Sequence, residues 1–316
     1  MKLIKYVYCF LVIIFFSSCE KEINVDLPVH QPKLTIDCHL TSGDIPQAFV
    51  SHSLHSLSPS SNFNALPDAE VLLYENGTLV DTLLHSMDIT EENWYNYDVG
   101  AFIGDYIIQP DKIYKIQANH KDYETAFGET ICPKNSLEIS EIDVSGLKID
   151  SVQSYMEPEL DIYEFYRTGQ VKFKLSGKLD KELHYYLSIR DEQGELAAFD
   201  IISNDPIIVA EESNFSEGEM YPMESLYLSG SGIELNTTLT IKINPDGAWR
   251  YEKDISDRIE IRIEVLNDDY FQFINKVSEY DLSLYNPFVE MVFIPSNIEG
   301  GYGFVSGTFN YIKISD

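Results

Sequence analysis

Positive charge is scarce in this chain. Its 316 residues carry 22 Lys and Arg against 52 Asp and Glu, a formal net charge of −30 at pH 7. Binding to phosphates needs basic patches, so nucleic acid is excluded as an expected partner. Cysteine is also scarce, with four in all: Cys9, Cys19, Cys38 and Cys132. No apolar run after Cys19 is long enough to span a bilayer. Catalytic signatures are missing. There is no Gly-x-Ser-x-Gly elbow, no His-Glu-x-x-His and no phosphate-cradling glycine loop. Neither an internal repeat nor a low-complexity tract stands out. The expectation is a protein that is not an enzyme and needs no cofactor. Hydrophobic residues are plentiful at 44%, with 21 Tyr and 17 Phe, so packed cores are expected rather than a disordered acidic chain.

The N-terminus has a plain address. Lys2 and Lys5 precede the apolar run Tyr6–Phe16, and Ser17-Ser18-Cys19 follows. Small residues after such a run mark a cleavable secretory signal, expected over 1–18. The run falls well short of the roughly 20 residues a membrane span needs. Cleavage before Cys19 would leave its thiol to take a diacylglycerol, making a lipid-anchored protein. Loss of Lys2 and Lys5 takes the net charge to −32. Residues 19–33 then read as a tether, with Glu20, Glu22 and Asp26 charged and Pro28 and Pro32 blocking regular structure.

From Lys33 the pattern has period two. Leu34, Ile36, Cys38 and Leu40 share one face, and Lys33, Thr35, Asp37 and His39 the other, as in a half-buried strand. Strands are also expected over 47–54, 113–118 and 123–131. Asn76-Gly77 between apolar runs predicts a hairpin, because both turn residues need positive φ. Asn76 also starts an Asn-x-Thr triplet, which turn chemistry explains without glycosylation. About seven short strands in a hundred residues predict a sandwich over 34–134.

The second block, 135–316, predicts a larger β-rich domain. Ile139, Ile142 and Val144 open it, 146–161 reads as an irregular connection, and strands follow over 163–174 and 183–190. Asp191-Glu192-Gln193-Gly194 predicts a hairpin turn with 195–202 returning beside its partner. The acidic stretch 203–225 reads as a long loop. Leu235–Ile243 alternates, and Ile259, Ile261, Ile263 and Val265 alternate cleanly with Glu260, Arg262 and Glu264. One short helix is predicted after Asn267 or Asp268 as cap, with its apolar stripe on the last sheet. Phe288–Ile294 and Phe304–Ile314 read as final strands around Gly300, Gly301 and Gly303. The fold class is mainly β, with two β-sandwich domains.

Several segments carry a resemblance. They are the Cys-Glu-Lys-Glu-Ile-Asn-Val-Asp start at Cys19, Asp68–Gly77, Pro110–Ala118, and the ending Asn286-Pro287-Phe288 with Ser296–Gly303. Together they resemble the uncharacterised lipoproteins named for domain of unknown function 4249, across nearly the whole mature chain. The N-terminal block alone also resembles Ig-like and transthyretin-like sandwiches. The resemblance implies an outer-membrane, often surface-facing lipoprotein that accompanies a TonB-dependent receptor-type barrel. The acidic run after Cys19 resembles a surface-export signal of related lipoproteins. The family brings no agreed ligand and no catalytic residues. The expected function is a non-enzymatic binding or accessory role beside such a barrel. The alternative is a stand-alone surface adhesin or glycan-binding module.

Candidate sites are few. His52 and His55 would face opposite sides of a strand, which argues against a shared metal. Asp268-Asp269, Asp254 with Asp257, and the Glu211–Glu219 run lack calcium-loop spacing. No metal site is therefore expected. Trp94, Tyr95 and Tyr97 in the 91–103 loop are candidate interaction anchors, or else core residues. Cys38 and Cys132 are either a disulfide joining the first and last strands of the first sandwich or two buried free thiols. Cys132 is out of phase with Phe127 and Ile131, so its side chain is expected to point away from theirs.

Overall fold

Alternation along Leu34–Ser42 makes a strand because side chains two apart share a face. In the computed structural model of the chain this is β1, with Leu34, Ile36, Cys38 and Leu40 buried. The structure describes residues 30–54, 65–87, 100–153, 163–191, 200–202, 207–209, 226–228, 232–244, 258–284 and 292–315. The signal segment, Cys19, His55 and the Trp94, Tyr95 and Tyr97 cluster lie outside these. Of the tether, only 30–33 is described, and it has no regular structure.

The first block contributes β1, β2 (Gln47–His52), β3 (Glu70–Glu75), β4 (Thr78–Ser86), β5 (Ala101–Ile103), β6 (Lys112–His120) and β7 (Tyr123–Cys132). The predicted hairpin joins β3 to β4, with Asn76 at φ 47° and Gly77 at φ 80°, as a type I′ turn demands. The second block adds β8 (Leu137–Asp143), β9 (Lys148–Gln153), β10 (Tyr163–Lys178), β11 (Leu183–Asp191), β12 (Asp200–Ile202), β13 (Ile208–Val209), β14 (Leu226–Leu228), β15 (Glu234–Asn244) and β16 (Ile259–Asn267). Helix α1 (Asp268–Leu284) follows, then β17 (Ile298–Glu299) and β18 (Tyr302–Ile314).

One hydrogen-bonded path runs β13-β14-β11-β16-β18-β1-β2-β5-β4-β3-β6-β7-β17, and its two ends do not pair with each other. A smaller sheet has the order β12-β15-β10-β8, with β9 on β10. The protein is mainly β, with two hydrophobic cores. The first packs Leu34, Ile36 and Val50 of β1 and β2 on Leu73, Tyr114 and Ile116 of β3 and β6. The second packs Leu187, Ile261 and Ile263 of β11 and β16 on Phe173, Leu239 and Ile241 of β10 and β15.

β18 belongs to both cores. Its first part runs parallel to β1, from Thr35 opposite Tyr302 to Ser42 opposite Phe309. Its second part runs antiparallel to β16, from Leu266 opposite Thr308 to Glu260 opposite Ile314. Val305 is buried in the first core, while Phe309 and Tyr311 pack on the second. The last strand thus crosses the expected boundary near residue 135, and Pro32–Asp316 is one compact unit.

Some expectations need correction. Of the predicted return strand 195–202, only Asp200–Ile202 is described, and it does not pair with β11. This part, β12, pairs with Lys242–Asn244 of β15 in the smaller sheet, and 192–199 lie outside the described residues. The connection 146–161 is not wholly irregular, since β9 pairs with Tyr163–Thr168 of β10. Val292–Ile294 forms no strand, and Pro295 directly after it has no N–H to give a ladder. Phe102, at the end of the predicted 91–103 loop, is a buried core side chain on β5.

On β7, Cys132 points away from Phe127 and Ile131, as its spacing predicts. Ala126, Gly128, Thr130 and Cys132 face inward, and Ile131 is exposed. The cause is close packing. A Cβ on Gly128 would meet Ile298 Cδ1 at 2.5 Å and Val305 Cγ2 at 2.8 Å. Only small side chains fit there, so the large Phe127 and Ile131 face out. Cys38 and Cys132 are both buried, and both are free thiols. The Cys132 thiol donates to the carbonyl oxygen of Leu40 at 3.4 Å. Of the two alternatives, this structure has the pair of buried free thiols.

Candidate cleft on the outward face of the long sheet

Four strands send alternate residues out of their cores and onto one shared face. On β16 the burial of Ile261, Ile263 and Val265 turns Glu260, Arg262 and Glu264 outward. On β11 the burial of Tyr185, Leu187 and Ile189 turns out Tyr186, Ser188 and Arg190. β18 adds Thr308 and Asn310, and β1 adds His39 and Thr41. Register then aligns them. Tyr186 lies opposite Glu264 and Glu264 opposite Asn310, while Ser188 lies opposite Arg262 in the next row. Thr41 lies opposite Thr308, and their hydroxyls are 2.9 Å apart.

Helix α1 closes one end of this face. Asn267 caps it, its Oδ1 accepting from Tyr270 N at 2.9 Å as the sequence predicts. Asp268 and Asp269 in the first turn suit the positive end of the helix dipole. The first turns pack onto the sheet through aromatic rings. Phe273 stacks on Phe304 with centroids 4.2 Å apart, and Phe271 stacks on His184 at 3.7 Å. Asp268 holds the other side of His184, with Oδ1 2.9 Å from Nε2. Tyr270 reaches over β18 toward β1, its ring 5.5 Å from that of His39. Burial pushes the Tyr270 phenol above its ordinary range, and the charges of Glu264 and Asp37 add to the shift.

Between Tyr270 and the far ends of β11 and β16 lies a cleft of about 310 Å³. Its walls are His39, Thr41, Tyr186, Ser188, Arg190, Arg262, Glu264, Tyr270, Thr308 and Asn310. Arg262 is braced from below, with Nε donating to Glu260 Oε1 at 2.8 Å and Glu260 buried. Arg262 itself is only partly buried. Asn310 Oδ1 is shielded and has no hydrogen-bond partner among the described residues. An unmade bond of that kind costs roughly 1–3 kcal/mol.

Asp37, His39 and Ser306 resemble a hydrolytic triad in outline only. His39 Nδ1 is 2.6 Å from Ser306 Oγ, and His39 Nε2 is 3.3 Å from Asp37 Oδ1. Ser306 is 0% exposed, so no substrate carbonyl can reach its hydroxyl. The contact instead fastens β1 to β18.

Sequence reasoning did not single out this cleft. The signal was present, since Glu260, Arg262 and Glu264 were visible as one face of the cleanest strand. Nothing local said that β11, β18 and β1 would lie beside it. Of the candidate metal ligands, His52 stacks on Tyr123 at 5.6 Å. Among the described residues, no group of three or more His, Cys, Asp or Glu side chains gathers as a metal site.

A search of curated proteins finds no match to this chain. A family model described as domain of unknown function (DUF4249) matches residues 20–310. The chain belongs to that family.

Proposed function

We propose that this protein is an outer-membrane, outward-facing lipoprotein that works by binding, as a non-enzymatic accessory partner of a TonB-dependent receptor-type barrel. The polar cleft carries the binding part of this reading. It is open, set on strands and braced by the part-buried Arg262–Glu260 pair. Rigid elements hold a binding constellation better than loops do. The anchoring part rests on Cys19 after the apolar run, and the barrel on the family resemblance. Tethering to the same membrane removes the search through bulk solvent and raises the effective concentration of the two proteins for each other. The Trp94, Tyr95 and Tyr97 cluster supplies aromatic anchors of the kind that dominate interfaces.

The polar lining of the cleft also favours a second reading, a stand-alone surface adhesin or glycan-binding module. Pull-down of the tagged lipoprotein from membranes solubilised in mild detergent separates the two. Recovery of a barrel is expected, with loss of recovery when Trp94, Tyr95 and Tyr97 are changed to Ala at unchanged thermal stability. Absence of any barrel from the wild-type eluate leaves the adhesin reading.

A further inference from the structure

We infer that the cleft over β1, β18, β16 and β11 binds a single neutral sugar residue. This rests on the reading that the chain works by binding, and it names a ligand class for that site. Size is the first argument. About 310 Å³ lies at the low end of the roughly 300–1,000 Å³ of small-ligand sites, room for one ring rather than an extended chain.

The donor and acceptor pattern is the second argument. Arg190 and Arg262 present guanidinium groups, which only donate, while the Glu264 carboxylate only accepts. Asn310 does both, as do the hydroxyls of Thr41, Ser188 and Thr308. Glu264 and Asn310 share one cross-strand row, and Arg262 stands in the next. A ligand covering both rows must donate to one and accept from the other within a few ångströms. A hydroxyl group does both, and a sugar ring carries several side by side. A simple anion suits the guanidiniums in charge but lies against Glu264. A metal ion suits Glu264 in charge but faces two cations.

Asn310 is the third argument. Its Oδ1 has no partner, so turning the amide onto a ligand breaks no bond at that oxygen. Tyr186 and Tyr270 also line the cleft, and a phenol hydroxyl, like that of a sugar, can both donate and accept.

The test is titration calorimetry of the full-length protein in detergent against a panel of neutral mono- and disaccharides, with glycine and glutamate as zwitterionic and anionic comparisons. The expected result is saturable binding of at least one sugar, weakened ten-fold or more in Asn310→Leu, with the melting temperature unchanged or raised. Asn310→Ala, which deletes the amide without filling the cleft, carries the same expectation if the leucine variant does not fold. Arg262→Ala is the wrong variant, because it leaves Glu260 buried without its partner. Binding of no sugar by the folded wild type overturns the inference. So does binding that both Asn310 variants leave unchanged, or a preference for the amino acids. Barrel recovery is measured separately. Recovery without sugar binding sinks this inference alone, and sugar binding without recovery sinks the barrel partnership alone.

Discussion

The side-chain amide of Asn267 donates to the carbonyl oxygen of Ile131 at 3.0 Å, while its own oxygen caps α1. The same nitrogen is 3.1 Å from Thr130 Oγ1. One residue at the end of β16 thus fastens the helix and ties the second core's sheet to β7 of the first. Asn267→Ala is expected to lower stability by about 2 kcal/mol, roughly 1 from the cap and the rest from the lost donors. Asn267→Asp keeps the cap but aims a carboxylate at the Ile131 carbonyl. If the cap alone mattered, Asp would match Asn in urea denaturation. The expected outcome is that Asp falls at least as far as Ala.

Glu75 holds two phenols. Tyr114 and Tyr106 each donate to its Oε2 at 2.8 Å. The hydrogen bonds from Tyr114 and then Tyr106 lower the Glu75 carboxyl below its ordinary 4.5. A depressed folded value means stability that is complete well above 4.5 and lost as pH falls through the lower folded value. At the alkaline end the sign reverses. Burial and Glu75 raise the Tyr114 phenol above its ordinary 10, so stability falls as pH rises past 10. Glu75→Gln is expected to flatten the acid limb of melting temperature against pH. An unchanged acid limb would show that other carboxylates govern it.

Gly303 lies where β18 meets β1. Its φ is +108°, and an added Cβ would stand 1.9 Å from the Ile36 carbonyl oxygen. No side chain has room there, and L-residues rarely adopt that φ. Gly303→Ala is expected to destabilise by about 3 kcal/mol or more, among the larger single-residue effects. A loss below about 1 kcal/mol in urea denaturation would mean that β1 and β18 do not pair in this register.

Burial pushes the Cys132 thiol up to about 12 and the Cys38 thiol well above its ordinary range. Thiolate is the reactive form, so both should resist alkylation at pH 8 in the native protein. Peptide mapping after iodoacetamide treatment is expected to find both unmodified natively and both modified on unfolding without reductant. Modification that requires a reductant would show a disulfide instead.

Cys19→Ser is expected to abolish palmitate labelling and release the protein from membranes, because no other anchor is expected after cleavage. Protease added to intact cells is expected to digest the wild-type body. Protection until the outer membrane is lysed would place it on the periplasmic face.

Local pattern alone was enough for much of this protein. The alternation in Leu34–Leu40 and Ile259–Val265 makes strands wherever those segments lie, because period two is a property of the strand itself. Asn76-Gly77 makes its turn, and Asn267 its cap, through dihedral preference and a hydrogen bond within a few residues. Other features depended on neighbours that no local pattern names. The inward phase of β7 follows from Val305 and Ile298 crowding Gly128, residues far along the chain. β12 pairs with β15 in the smaller sheet, a partner that begins more than thirty residues further along the chain. The cleft exists only because β18 pairs with β1 on one side and β16 on the other, which brings His39 and Ser306 together across 267 residues of sequence. A strand's sequence decides which of its residues face outward, but only packing decides whose outward residues stand beside them.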